Sequence, residues 1–300
     1  MRNKYDFSNV VGMFIFNEHI NPIKSILFTD DQDFAKGNVS ALSERELPDP
    51  KALDKILSFF RKKEYYAAFR ERNIFLTKVA VHNSVSVDVL IIQAIHHIGD
   101  IDKVSNVLAK RLREWYEWYN PELSRRLVDH AQFVNAILEG KSKKEPDTMG
   151  ADLGKADLEP IRRLAEELSH LFALRAAQEI YLENLMRKNC PNLLTLTGTT
   201  LGAKLLAQAG SLKRMVMLPA STIQLLGAEK ALFRHIKSGA RSPKYGFLHE
   251  HPYVGTCKKE FQGKAARILA DKISIAAKVD YFKGDFIGEK LLRDLEKKKP

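Results

Sequence analysis

The sequence predicts a mainly α chain with a small α/β domain at its N-terminus, a long antiparallel coiled-coil hairpin and a helical C-terminal third. Three observations carry this. Short runs with a period of two appear only near the start. Apolar spacings of three and four take over from about Val85. Two long amphipathic segments then flank one polar, glycine-bearing turn.

The first module, residues 1–82, reads as α/β. Val10–Phe16 is a short apolar run with Phe14 and Phe16 two apart, and Lys24–Phe28 is a second run. Asp30, Asp31 and Asp33 mark a loop. Pro48 and Pro50 punctuate before a helix over Lys51–Arg61, where Leu53, Ile56, Leu57 and Phe60 share a face. Asn73–Thr77 is expected to return as a strand. A single covering helix leaves one face or edge of the sheet open to a partner.

The second module, residues 83–190, reads as helical. Asp88–Gly99 is apolar nearly all round, the mark of a buried helix. Lys103–Tyr119 continues with Val104, Val107, Leu108, Leu112, Trp115, Tyr116 and Tyr119. Asn120 is placed to cap and Pro121 to open the next helix, expected over Leu123–Leu138. Glu139–Gly154 is a polar turn. Asp157–Asn189 then reads as a helix of about nine turns. Its Ile161, Ala165, Leu168, Phe172, Ala176 and Ile180 follow spacings of 4, 3, 4, 4 and 4. That is a coiled-coil stripe with a slip in register. It has more apolar edge than one small domain covers, so self-association as a dimer is expected, near the Glu139–Asp157 turn.

The third module, residues 191–300, begins where Pro191 ends the hairpin. Helices are expected over Leu193–Ala209, Ser221–Leu226, Ala228–Lys237, Lys258–Val279 and Gly288–Lys298. Ser221 and Gln224 have the spacing of a capping box.

Charge separates these modules. The chain carries a net +11, and residues 201–300 alone hold 20 Lys+Arg against 9 Asp+Glu, so the first 200 residues are neutral. A neutral front joined to a basic third points to protein contacts in one region and a polyanion in the other. No run of about 18 apolar residues argues for a membrane span. The start has no apolar signal-peptide core. Two cysteines, Cys190 and Cys257, far apart in sequence, make neither a disulfide framework nor by themselves a four-ligand zinc site, and a reducing cytoplasm is expected.

Motifs of catalysis are missing. Gly198–Lys204 resembles a phosphate loop, but it is one residue short between glycines and no Ser or Thr follows Lys204; a helix start with small packed residues is expected instead. No dinucleotide fingerprint, nucleophile elbow or zincin motif occurs. His249 and His251 alternate with Glu250 and lack a third ligand nearby, and His96 and His97 sit in an apolar helix, so no metal and no cofactor is expected. The chain is read as a non-enzyme.

The distinctive stretch is Gly227–Gly246. Lys230, Arg234 and Lys237 recur at four and three, on one helix face. Gly239, Pro243 and Gly246 shape a following loop that carries Arg241, Lys244 and Tyr245. A cationic helix followed by a cationic loop suits a folded RNA backbone, with Tyr245 or Phe233 placed to cover an exposed base. The helix start at Gly227 and Ala228 offers backbone N–H groups to a phosphate. Glu229, in the first turn, balances the helix dipole or holds a lysine.

At these residues the chain resembles the Nop family, scaffold proteins of box C/D RNA–protein particles. The resemblance rests on Gly227–Arg234, Leu218–Gln224, Ser242–Gly246, Lys264–Arg267 and Ala276–Asp280, and upstream on Ile91–Ile95 and Arg113–Leu123. It covers roughly residues 85–295; the N-terminal 80 residues match only in their α/β outline and position. The shortness of the C-terminal end is similar to the archaeal form.

The resemblance implies three modules. An α/β domain docks fibrillarin, the methyltransferase. A coiled coil pairs with a second copy. A C-terminal helical Nop domain binds the kink-turn of a box C/D guide RNA together with a small ribosomal-protein-like kink-turn binder. The particle then 2′-O-methylates RNA. Relatives tend to place His or Gln, facing RNA, where this chain has Glu250, so His249 or His251 is expected to make that contact. Two alternatives stand beside this reading. One is a spliceosomal-type kink-turn binder that recruits no methyltransferase. The other is a coiled-coil dimer scaffold with no RNA role.

Overall fold

A computed structural model of the chain describes residues 4–17, 19–28, 50–140 and 148–298. The expected loop at Asp30, Asp31 and Asp33, Pro48, and residues 141–147 of the polar turn lie outside the described residues. The chain divides into two compact units, Met1–Val85 and Ser86–Pro300.

In the first unit, strands β1 (Lys4–Ser8), β2 (Gly12–Asn17) and β3 (Pro22–Leu27) form an antiparallel sheet in the order β1-β2-β3. Strand β1 was absent from the sequence expectation; its short alternation of Tyr5 and Phe7 with polar residues is easily passed over. Helix α1 (Pro50–Phe59) covers the sheet. Phe14, Phe16, Ile56 and Phe60 are buried together, with Tyr5, Phe7, Tyr65 and Phe69 packed around them. The rings meet mostly edge to face, as Phe14 does on Phe60 with centroids 4.7 Å apart. Asn73–Thr77 is not a strand. It lies inside helix α2 (Lys63–Ser84), none of whose residues is buried. Flanking helix formers, Arg70, Glu71 and Lys78 among them, override the short apolar run.

The second unit opens with α3 (Val87–Glu117), which fuses two expected helices across Gly99. Asn120 caps α4 (Pro121–Arg126), accepting from the Leu123 N–H at 3.1 Å. The expected single helix Leu123–Leu138 is broken here, because α5 (His130–Leu138) starts afresh with Asp129 as its cap. Arg113 fixes the break. Its guanidinium donates to the Ser124, Val128 and Asp129 carbonyls and to His130 Nδ1, at 2.8–3.1 Å, and lies 4.3 Å over the Phe133 ring.

Helix α6 (Lys155–Asn189) runs back against α3, and Pro160 sits near its start without ending it. Ile161, Ala165 and Leu168 of the expected stripe are buried. Ala176 and Ile180 are not. Past Leu168 the seam passes through Arg175, which bonds Asp102 of α3 and Glu179, and only then returns to Leu182 and Met186. The slip therefore turns Ile180 out to solvent, along with Tyr181, and Val104 and Val107 of α3 are exposed as well.

Helices α7 (Pro191–Ala209), α8 (Leu212–Met217), α9 (Ala220–Leu225), α10 (Glu229–Ser238), α11 (Pro252–Gly255), α12 (Gln262–Tyr281) and α13 (Gly288–Lys297) complete the unit, with a 3-10 turn at Phe247–Glu250. α7 is kinked at Gly198. The look-alike phosphate loop is thus a helix kink followed by buried Leu201, Gly202 and Ala203. The core joins the base of the hairpin to α7–α9 and α12, and it includes Cys190, whose thiol burial pushes up to about 12.

One buried carboxylate organises this core. Asp280, near the end of α12, accepts from the Asn192 N–H at 3.1 Å, the Asn192 amide at 2.8 Å and the Leu193 N–H at 2.9 Å. It therefore satisfies the first turn of α7 from outside the helix. Asn192 in turn accepts from the Ile287 N–H at 2.7 Å, just before α13. Burial raises the Asp280 pKa, against the pull of these donors. Replacing Asp280 with Ala leaves the three donors unsatisfied. The expected loss is about 2–4 kcal/mol of unfolding free energy, measured by urea denaturation. A loss below about 0.5 kcal/mol, the scale of a neutral surface change, would contradict this role.

Candidate nucleic-acid interface

The cationic helix α10 stands off the body of the unit. None of its residues is buried, and Lys230, Arg234 and Lys237 are all exposed and in no ion pair among the described residues. Phe233 and Ile236 are exposed beside them. The helix ends on Gly239 in the left-handed region, and His235 Nδ1 bonds the Ala240 carbonyl, which turns the chain into the loop that carries Arg241 and Lys244.

The loop is clamped to the body by backbone pairing. The Gly246 N–H donates to the Gln224 carbonyl at 3.0 Å and the Phe247 N–H to the Leu226 carbonyl at 2.8 Å. A Cβ at Gly246 would lie 1.9 Å from the Leu226 carbonyl oxygen, so only glycine allows this approach. Gly227 has φ +89°, and its bare Cα seats the Phe247 ring, where a Cβ would come within 2.7 Å. The glycines at either end of the distinctive stretch thus meet in space.

Several expected roles change. Gln224 forms no capping box with Ser221; Pro219 stands at the cap of α9, and the Gln224 amide donates to the Lys244 carbonyl at 2.6 Å. The Gly227 N–H is taken by Glu229 Oε1 at 2.8 Å and the Ala228 N–H by the Leu225 carbonyl at 2.9 Å, so neither is left for a phosphate. Glu229 holds its own turn rather than a lysine. Glu250 does not confront the cationic surface unpaired: Lys204 bonds it at 2.7 Å. His251 is turned inward. Its Nδ1 accepts from the Tyr253 N–H at 3.1 Å, capping α11, and its Nε2 bonds the Leu196 carbonyl at 2.9 Å. The kink at Gly198 lies just beyond Leu196. With both nitrogens engaged, His251 has no nitrogen left for RNA. His249 remains exposed and stacks on Tyr245.

The sequence reading also missed part of the surface. Lys244, Lys264 and Arg267 line a cleft of about 440 Å³ together with Ser221, Gln224 and Ser242. None of the lining residues is acidic, and none of the three cations is in an ion pair among the described residues. The signal was present: Lys264 and Arg267 are i, i+3 on α12, but only the fold brings Lys244 over Gly263 beside them. Among the described residues, no single helix is long and apolar enough to cross a membrane.

A family described as "Nop: snoRNA binding domain, fibrillarin" matches residues 97–299. The chain is 39% identical over 262 residues to a NOP5 family protein of Methanocaldococcus jannaschii, covering 80% of this chain and 62% of that one. It is 40% identical over 217 residues to nucleolar protein 58 of Scheffersomyces stipitis, 65% of this chain and 42% of the relative. Nucleolar protein 58 of Dictyostelium discoideum is 31% identical over 305 residues, 91% of this chain and 47% of the relative. The chain thus spans less than two thirds of the length of these curated relatives. A solved fibrillarin/Nop5p complex contains a chain that matches 98% of this one at 24% identity, with a TM-score of 0.47 and 99% of that chain covered.

His251 gives the unit an acid sensitivity. Burial lowers its pKa, against the pull of the Leu196 carbonyl, so the folded chain favours the neutral ring. The unfolded chain takes up the proton below about pH 6.5. The stabilisation is therefore complete above about pH 6.5 and lost as pH falls below it. His130, lowered by burial and by Arg113, adds in the same direction. His251→Gln is expected to flatten the fall in melting temperature between pH 7 and pH 5; an unchanged slope would contradict the assignment.

Proposed function

The chain belongs to the Nop family, and we propose that it is the non-catalytic scaffold of a box C/D ribonucleoprotein. On this reading the helical C-terminal module, residues 191–300, binds the kink-turn of the guide RNA together with a small ribosomal-protein-like partner. The α/β module, residues 1–82, recruits fibrillarin, which performs the 2′-O-methylation. The helical module between them, residues 83–190, pairs two copies. The particle works in the cytoplasm.

The observation that carries the reading is the free cationic surface. Lys230, Arg234 and Lys237 on α10, Arg241 and Lys244 on the loop, and Lys264 and Arg267 on α12 are all exposed and in no ion pair among the described residues. Elsewhere in the same unit, exposed cations such as Arg111, Arg162 and Arg163 are paired with a carboxylate one turn away. Unpaired cations on a rigid, glycine-clamped frame suit phosphates.

The other modules supply complementary surfaces. Strand β3 is at the sheet edge and exposed along its length, with Ile23, Ile26 and Leu27 each about half exposed. An apolar edge suits fibrillarin better than RNA. The sequence places self-association near the Glu139–Asp157 turn; the middle of the hairpin carries Val104, Val107, Leu174, Ile180 and Tyr181 exposed, and a second copy would cover these instead.

The test is a gel-shift titration of the full chain on kink-turn RNA with its small binding protein, across a salt series. Replacing Lys230 and Arg234 by Ala is expected to weaken binding and to lower the log–log salt slope by about 0.9 for each phosphate that is no longer neutralised. The circular dichroism spectrum should not change. Unchanged affinity and slope in the double variant would remove α10 from the interface. No binding by the wild-type chain would favour a scaffold without an RNA role.

A further inference from the structure

The cationic surface explains how a phosphate backbone is held, but two aromatic rings at its edge have no part in that. Tyr245 and His249 lie stacked, with centroids 5.0 Å apart and planes 17° from parallel. The Tyr245 hydroxyl donates to Gln262 Oε1 at 2.6 Å, and Gln262 is itself held by donating to the Cys257 carbonyl at 3.3 Å. Tyr245 also packs on the hydrophobic core. Its ring is therefore fixed at one end by a hydrogen bond and along one side by packing. His249 covers it, sits in the 3-10 turn behind Gly246, and is exposed. The His249 ring nitrogens make no hydrogen bond among the described residues.

We propose that the Tyr245–His249 pair is a stacking shelf for one unpaired nucleobase, which lies on the outer face of the His249 imidazole. The proposal rests on the RNA-binding reading and adds to it the chemical class met by this edge. An anchored ring beneath an exposed ring presents a flat π-surface that is ordered before RNA arrives, so little side-chain freedom is lost on binding. The setting favours a nucleobase over an aromatic side chain of a protein. Lys244 precedes Tyr245 in the chain, and Glu250, the carboxylate next to His249 in sequence, is paired with Lys204. A phosphate beside the base then meets a Glu250 whose charge is already compensated. Tyr245, the residue first expected to cover a base, becomes the support beneath the one that does.

Stacking and phosphate contacts differ in their salt dependence, and the experiment uses this. The full chain is titrated, with the small binding protein, on kink-turn RNA at several salt concentrations. His249→Ala is expected to weaken binding roughly 5- to 100-fold, the range for removing one base stack, with the salt slope unchanged. His249→Phe keeps a flat ring and should bind within about twofold of wild type on the same stacking argument. Removing the base at one unpaired nucleotide should reproduce the His249→Ala loss in the wild-type chain and cost nothing more in the variant. Equal binding by His249→Ala and wild type would overturn the shelf while leaving the RNA reading intact. A loss accompanied by a slope lowered by about one unit would overturn it too, in favour of a phosphate contact. Failure of the wild-type chain to bind would overturn the RNA reading and the shelf together.

Discussion

The Ser86–Pro300 unit is organised around a buried carboxylate that sits where a helix begins. The first N–H groups of α7 have no partner within their own helix, and α7 lies in the core, where water cannot supply one. Asp280 supplies the acceptors from α12, and Asn192 passes the connection on to the segment before α13. Three helices are thereby fixed at one point. The base of the hairpin packs on the same core, as does α9, to which the cationic loop is paired. The loop's position is thus a consequence of a core that the Asp280 network holds in register.

On that frame the charges fall into two groups. Those that build the structure are paired or capped: Arg113 to four acceptors, Arg175 to Asp102 and Glu179, Lys272 to Asp294, Lys204 to Glu250, Glu229 to its own turn. Lys230, Arg234 and Lys237 on α10, Arg241 and Lys244 on the following loop, and Lys264 and Arg267 on α12 are in no ion pair among the described residues. A cation in no ion pair is available to a polyanion at little reorganisation cost. Part of the positive charge of the last third is thereby gathered on one surface.

Much of this was legible in the sequence. Helical periodicity located α6, α12 and α13, a nearly all-apolar run marked the start of α3, and the i, i+4, i+7 cations named the exposed face of α10. What stayed hidden depends on distant partners. Asp280 and Asn192 are 88 residues apart, and no local pattern marks their bond. Ile180 reads as core by spacing, yet the seam rotates away from it where Arg175 reaches Asp102. His251 reads as a binding residue because it adjoins the position where relatives place an RNA-facing His or Gln, but it caps a short helix and bonds the carbonyl just ahead of a kink. Asn73–Thr77 has the composition of a strand and lies in a helix, since three apolar residues cannot outweigh the helix formers around them.

In the proposed function one chain connects an RNA to a methyltransferase through separate surfaces, one cationic and one apolar. The most direct measurement is an electrophoretic supershift with labelled kink-turn RNA, the small binding protein, fibrillarin and the full chain. The account predicts that fibrillarin joins the RNA only when the chain is present. It also predicts that high salt releases the RNA while fibrillarin stays on the chain, because screening weakens charge contacts far more than apolar ones. An RNA–chain complex that fibrillarin never joins would contradict the scaffold, and so would fibrillarin reaching the RNA equally well without the chain.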